Sequence, residues 1–496
     1  MRNILPEIVF STSDSTLSQR ISRWVKSGRL RKIAPKLYTS NFTDSDYQIV
    51  KRNLYPILGH LFSGALLSHR SALEGRPTDS GDVFLTYTYT RHVALPGIRV
   101  HLMKGPGPGS TDLPFMNGLF ISSRPRSFLE NLQIARGRSG LAKILSKVEL
   151  EERLDRICLA QGTAALNTLR DSARELAGPL HMEEPFRKLN ALIAAILRTR
   201  PANVLSSPAA RARSMGMPYD SFRLDLFNTL FTALSQAELP VRNEVRTTER
   251  ERQLLAFFEA YFSNYIEGTE FKVSEAYDIV FHNKVPRNRP ADAHDVMGTF
   301  RVAASIGQSR SVSETFDDFC RILKSRHHDI MEGRPDRAPG EFKEDGNRAG
   351  ETVFVDPGLV QGTLLKGFEM ASAITPGLPR AIFMMFLIAE VHPFVDGNGR
   401  VARLMMNAEL VHRGLSRIVM PTVYRDDYLL ALRALSRSSN PVPLVRAMDY
   451  VQDFSSRLPM SSYDEAINAL TNCNAFKDPD EARLIMYSPI SSAPSI

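Results

Sequence analysis

Cysteine is scarce: Cys158, Cys320 and Cys473 are the only three in 496 residues. A set so sparse, odd and widely spaced excludes a disulfide framework and a zinc cluster, and fits a reducing compartment. Long apolar runs are also missing. The most apolar stretch, residues 381–391, is too short to cross a bilayer, and the apolar part of the opening MRNILPEIVF is too short for a secretory signal. A soluble, cytoplasmic protein with no membrane partner is therefore expected. Low-complexity sequence and internal repeats are absent as well, which with 43% hydrophobic and 23% charged residues excludes a mainly disordered or collagenous chain. At roughly 150 residues per domain, the length suggests about three domains. Lys and Arg outnumber Asp and Glu by 62 to 54, a net +8, which permits a nucleotide or nucleic-acid partner without requiring one.

Near the start, TLSQRISRWVKSGRLRKIAPKLYTSN (residues 16–41) carries Leu17, Ile21, Trp24 and Val25 at helical spacing, and Gly28 supplies a stop. Beyond it, Leu30, Ile33 and Leu37 alternate with basic residues around Pro35, the pattern of a two-stranded wing. Arg20, Arg23, Lys26, Arg29, Arg31, Lys32 and Lys36 fall here with no acidic residue among them. The charge suits phosphate contacts and equally suits a solvated helix face. The segment resembles the small winged-helix module that opens AbiEi-type antitoxins, and LLSHRSAL (residues 66–73) is similar to the start of their second domain. Between residues 84 and 121, runs such as VFLTYTY and IRVHL alternate with Gly-Pro turns and read as short strands. From Pro185 onward the spacing is helical.

The informative stretch is HPFVDGNGRVAR, His392 to Arg403. An apolar helix, AIFMMFLIAEV, runs into it, and a second, VARLMMNAELVHRG, runs out until Gly414. Gly397 and Gly399 allow positive φ and close backbone approach, so N–H groups can converge at the start of the outgoing helix, an anion site suited to phosphate. Asp396 offers a hard oxygen to a divalent cation. Arg400 and Arg403, three apart, share a helix face and can reach successive phosphates. His392 ends the incoming helix, where a neutral imidazole can take a proton, and Phe394 suits a core anchor.

In order and without a missing position, these residues match HPFx[D/E]GNGRxxR, and the chain resembles the Fic (filamentation) family over residues 257–454. The resemblance implies a Mg²⁺-dependent transfer of AMP from ATP to a Ser, Thr or Tyr hydroxyl of a target protein, with reversal of that transfer as a further activity. His392 would be the base, Asp396 the Mg²⁺ ligand, and Gly397, Asn398, Gly399, Arg400 and Arg403 the phosphate-binding residues, with Asn398 and Arg400 also catalytic through the charge they stabilise. Tyr424 and Tyr428 resemble the aromatic lining of the base pocket, although core packing explains them nearly as well. Gly340-Glu341-Phe342-Lys343 and Val353-Phe354-Val355-Asp356-Pro357 are similar to the family's flap, a hairpin at residues 340–357 on which the target docks. Upstream, Ser263, Glu267 and Gly268 resemble the [S/T]xxxE[G/N] segment of the autoinhibited subclass, in which Glu267 would pair with Arg403.

The expected architecture is multidomain: a winged-helix-like module at 1–56, a mixed α/β domain at 57–184, a helical linker region at 185–252, a mainly α-helical Fic domain with a β-hairpin flap at 253–458, and a tail at 459–496. A homodimer is expected. The rival reading is a DNA-binding regulator or antitoxin-like protein, with DNA on residues 16–41 and a silenced Fic domain.

Overall fold

The structure is a computed structural model that describes residues 5–11, 14–133 and 143–488; the last part of the Ser- and Pro-rich end expected as a tail, 489–496, lies outside the described residues. The chain divides into two compact units, Met1–Gly216 and Met217–Ile496.

The first unit contains two sheets. A helix, Ser15–Lys26, starts where the Asp14 carboxylate accepts the Thr16 N–H at 2.8 Å. It buries Ile21 against Val9 and Leu30. Strands Arg31–Ala34 and Leu37–Thr39 follow as an antiparallel pair, and Ile8–Phe10 adds a third strand beside Leu37–Thr39. Of the basic residues in this segment, Arg20, Arg23, Lys26, Lys32 and Lys36 are exposed. Arg31 is instead bound to Asp46 and to the carbonyls of Asn41 and Asp44, so the carboxylate that removes it from a phosphate-facing set comes from the next helix, Asp46–Arg52.

The second sheet has six strands, with Asp82–Tyr87 parallel to Ile98–Lys104 near its middle. The first five residues of Asp82–Tyr87 are all buried, so both faces are covered, which is why VFL reads as a continuous apolar run rather than an alternation. Helices Arg124–Asn131, Lys147–Ala177 and Glu183–Ile196 form a separate core through Phe128, Leu150, Leu154, Leu189 and Ile193. Lys147–Ala177 begins with a Ser146–Glu149 capping box and is interrupted at Gly162, whose φ of 78° is accessible to glycine.

The second unit is largely α-helical. Its centre is the helix Leu378–Val391, buried continuously from Ala381 to Ile388 and surrounded by residues of Ser221–Gln236, Pro357–Ala373 and Asn398–His412. The stretch 185–252 expected as a linker is thus divided: Leu189 and Ile193 belong to the first unit's core, Leu226 and Phe227 to the second's. A neighbouring core gathers Phe257, Phe258 and Phe262 of Glu249–Ile266 with Phe454 and Leu470. Leu470 lies on a helix, Tyr463–Asn472, in the segment expected as a tail; Ser462 caps it and Ala466 and Leu470, four apart, face the core. Among the described residues of this unit, the only paired strands are Arg348–Ala349 and Thr352–Val353, beside a single antiparallel bridge between Asn243 and Leu415. Among the described residues no helix is long and apolar enough to cross a membrane.

Candidate active site

The incoming helix Leu378–Val391 ends at His392, whose φ of 52° places a non-glycine residue in the left-handed region. Two contacts hold this conformation. The imidazole stacks on Phe354 with centroids 3.7 Å apart and planes at 5°, and its Nδ1 lies 3.2 Å from the Ala389 carbonyl oxygen. A carbonyl can only accept, so Nδ1 carries the proton and Nε2 the lone pair. Burial, helped by the Lys343 charge, pushes the ring down to about 4. His392 is therefore neutral at physiological pH with an acceptor nitrogen free.

The loop after it is tied from several sides. Phe394 is fully buried and stacks on His327 at 3.7 Å and 2°. His327 Nδ1 accepts the Gly340 N–H at 2.9 Å, which leaves Nε2–H to donate to the Asp396 carbonyl at 3.0 Å. Burial pushes this histidine too down to about 4. The Asn398 amide closes the loop on itself: Oδ1 accepts from Phe394 N and Nδ2 donates to Phe394 O, both at 2.9 Å. Asn347 Nδ2 donates to the same carbonyl at 2.9 Å, and Lys343 N donates to Pro393 O at 2.9 Å. At Gly397, φ is 74°, a conformation that favours glycine, and a Cβ would lie 2.9 Å from Met331 Sδ, so a side chain there would also have to displace the methionine.

The outgoing helix, Asn398–His412, separates its two arginines. Arg400, 3% exposed, puts Nη1 2.9 Å from Asp295 Oδ2 and lies 3.7 Å from Asp396 Oδ1. Asp295 also receives Arg334 at 2.9 Å. Arg400 is thus engaged through Nη1 and Nη2 in a buried ion-pair cluster, and its Nε is buried with no hydrogen-bond partner among the described residues. Arg403, also buried, donates from Nε to Ser263 Oγ at 2.9 Å, and from Nη2 to the Ser263 carbonyl at 2.8 Å and Glu267 Oε1 at 2.7 Å. Burial, the largest single influence, would lower this guanidinium, but the charges and hydrogen bonds of Glu267 and Tyr428 together outweigh it and the net shift is upward.

Glu267 follows Glu249–Ile266 as its C-terminal cap, and Gly268 turns the chain at φ 87°. A Cβ on Gly399 would overlap Glu267 Oε1. The carboxylate therefore lies against the first turn of the outgoing helix, where free N–H groups and the helix dipole favour an anion.

A cavity of about 410 Å³ joins His392, Gly399, Arg403, Glu267 and Tyr428. Phe386, Leu429 and Leu432 form an apolar wall, and Ala349, Gly350 and Thr352 of the short hairpin form another side. Of the sequence-selected residues, Gly397, Asn398, Arg400, Asp396, Ser263, Gly268 and Tyr424 do not line it. Tyr424 is buried with its hydroxyl donating to the Ala447 carbonyl at 3.4 Å, a packing role. Asp396 Oδ1 accepts the Gly397 N–H at 2.6 Å, and its side chain is 47% exposed. Among the described residues no group of three His, Cys, Asp or Glu could hold a metal by itself. His327, Asn347 and Asp295 were not found by sequence reasoning. The local sign of His327 and Asp295 is a polar residue amid an otherwise buried helix face, and Asn347, in the loop before the hairpin, has none.

Neutral imidazole, buried guanidinium and helix N-terminus around one cavity define an anion site with a proton acceptor at its edge. Residues 319–410 match the Fic/DOC family, so the chain carries a Fic domain, related to those of protein adenylyltransferases. Protein adenylyltransferase Fic of Drosophila willistoni is 26% identical over 223 residues, 42% of this chain and 43% of that protein. A Fido domain-containing protein of Dictyostelium discoideum is 29% identical over 103 residues, 20% of this chain and 72% of its own. The chain thus spans less than half the length of the Drosophila relative. Among solved structures, Fic-1 of C. elegans aligns at 18% identity and a TM-score of 0.36, covering 65% of this chain and 92% of that one.

Proposed function

We propose that the protein is an adenylyltransferase that moves AMP from ATP to a Ser, Thr or Tyr hydroxyl of a target protein, and that Glu267 holds it idle. The observation that carries this reading is the cavity in which the His392 acceptor faces the same space as Gly399 and Arg403. The apolar wall of Phe386, Leu429 and Leu432 suits a nucleobase, with Tyr428 beside it. The target's extended segment would lie along the hairpin at Ala349 to Thr352, with its hydroxyl towards His392.

In the transfer, His392 Nε2 takes the hydroxyl proton as the oxygen bonds to the α-phosphorus, and the bond to the bridging oxygen breaks to release pyrophosphate. General-base help of this kind contributes about 10²–10⁴ in rate. Arg403 and the N–H groups at the start of the outgoing helix hold phosphate oxygens, while Asn398 and Arg400 keep the loop and helix in place. Asp396 would hold Mg²⁺, which neutralises triphosphate charge when bound. The Glu267 carboxylate competes for Arg403 and for the helix terminus, so ATP would seat with its phosphates displaced.

The test is incubation of the Glu267→Gly protein with ATP labelled at the α- or the γ-phosphate, followed by denaturing electrophoresis. Protein-bound α label is expected. Label from the γ position alone would make the protein a phosphotransferase and overturn the reading.

A further inference from the structure

We propose that the first unit holds a second anion site, in which Arg124, Arg153 and Arg156 bind the phosphate of a small organic phosphate whose carbon skeleton rests on Leu73, Phe128 and Ile157. These side chains line one cavity of about 300 Å³. All of them lie within Met1–Gly216, so the site is composed independently of the Fic residues.

The arginines come from two helices. Arg153 and Arg156, three apart on Lys147–Ala177, share a face, and Arg124 opens Arg124–Asn131. Among the described residues, none of the three belongs to an ion pair within 4 Å. The acidic groups whose charges act on Arg153 are Glu74 and Glu149, and both are engaged by Arg70, at 2.7 and 3.4 Å. Glu152 offers Arg156 only its backbone carbonyl, at 3.3 Å from Nε. The remaining partners are neutral: Arg124 Nη1 donates to Gln161 Oε1 at 3.3 Å, and Arg153 Nη1 to the Leu73 carbonyl at 2.9 Å.

Arg153 Nε is buried and has no acceptor. Burial first, then the adjacent Arg156 charge, lowers this guanidinium. Three like charges gathered on one cavity, without a carboxylate among its lining residues, cost free energy that an anion with several acceptor oxygens would recover. Forked guanidinium donors match phosphate in particular. A bare phosphate would leave the Leu73, Phe128 and Ile157 wall unused. The volume sits at the small end of the range for ligand pockets, which favours a phosphorylated molecule of sugar size.

The experiment is isothermal titration of the full chain with ribose 5-phosphate, a probe without base or polyphosphate, with ribose and inorganic phosphate as companions. One ribose 5-phosphate per chain is expected to bind. Affinity should fall at least tenfold in Arg156→Gln and in Arg124→Gln, both surface changes that leave the thermal transition in place, and stay within twofold in Arg403→Ala. Ribose should not bind, and inorganic phosphate should bind more weakly at the same site. Loss of binding in Arg403→Ala with none in the Arg124 and Arg156 variants would assign the probe to the Fic cavity and overturn the proposal, as would no binding at millimolar probe. A further arm titrates a short single-stranded DNA with and without a 5′-phosphate. Equal, arginine-dependent binding of both would make the arginines a nucleic-acid backbone surface and also overturn it.

Discussion

The Glu267 carboxylate occupies the place at which the outgoing helix would receive an anion: its Oε1 lies 2.7 Å from Arg403 Nη2 and against the α-carbon of Gly399. One residue thus obstructs both the guanidinium and the helix terminus.

Glu267→Gly should raise autoadenylylation at least tenfold, equivalent to about 1.4 kcal/mol of barrier. The gain must require Arg403, so Glu267→Gly combined with Arg403→Ala should fall back towards the wild-type rate. Labelled-ATP incorporation measures both. High activity in the double variant would show that the ion pair is not the restraint.

Gly399→Ala tests the same contact by shape. A methyl group there overlaps Glu267 Oε1, so the substitution should cost about 1–3 kcal/mol of stability in the wild-type background. In the Glu267→Gly background it should cost less than half as much. Denaturant unfolding of the four proteins gives the coupling; equal costs would place the strain elsewhere.

Stability should fall as the pH drops from about 6.5 to about 4. His327 and His392 both sit near 4 in the folded protein, below the ordinary imidazole value of about 6.5. The unfolded chain therefore binds more protons through this window, and acid favours unfolding. His327→Gln should flatten the dependence. For the same reason, the rate of the Glu267→Gly protein should show no acid limb near 6.5 from His392, and Phe354→Ala, which uncovers the ring, should move the limb upward.

Asp295→Asn should be strongly destabilising, by about 3–5 kcal/mol, because Arg400 and Arg334 lose the buried charge they share. Denaturant midpoints measure this. An effect under 1 kcal/mol would mean the two guanidiniums find other partners.

Asp396→Ala should behave oppositely. Its half-exposed carboxylate supports little packing, so the thermal transition should hardly move while Mg²⁺-supported ATP binding weakens. Calorimetry with and without Mg²⁺ separates these outcomes, and an unchanged Mg²⁺ dependence would remove Asp396 from the metal site.

Much of the site was legible in order along the chain. HPFVDGNGR carries its own local physics: apolar residues at helical spacing before it, a glycine, Gly397, where φ is positive, and a helix start with unpaired N–H groups; Gly399 is helical and serves close approach instead. The four-residue step from Ser263 to Glu267 likewise announces one face, and Arg403 meets both residues there. The spacing of Arg400 and Arg403 was misleading for a physical reason. Three residues along a helix give neighbouring directions, but which direction is open depends on what packs there, and Asp295 packs beside Arg400.

The sequence by itself determined the loop's chemistry, because glycine conformations, helix starts and side-chain types act within a few residues. Only the tertiary structure decided how that chemistry is set. The proton position on His392 follows from Ala389 and from burial, the loop's support comes from His327 and Asn347, and Tyr428 lines the cavity while Tyr424 packs in the core. Apart from the Ala389 bond, these outcomes depend on groups brought together from distant parts of the chain, and desolvation and ion pairing respond to distance in space, whatever the separation along the sequence.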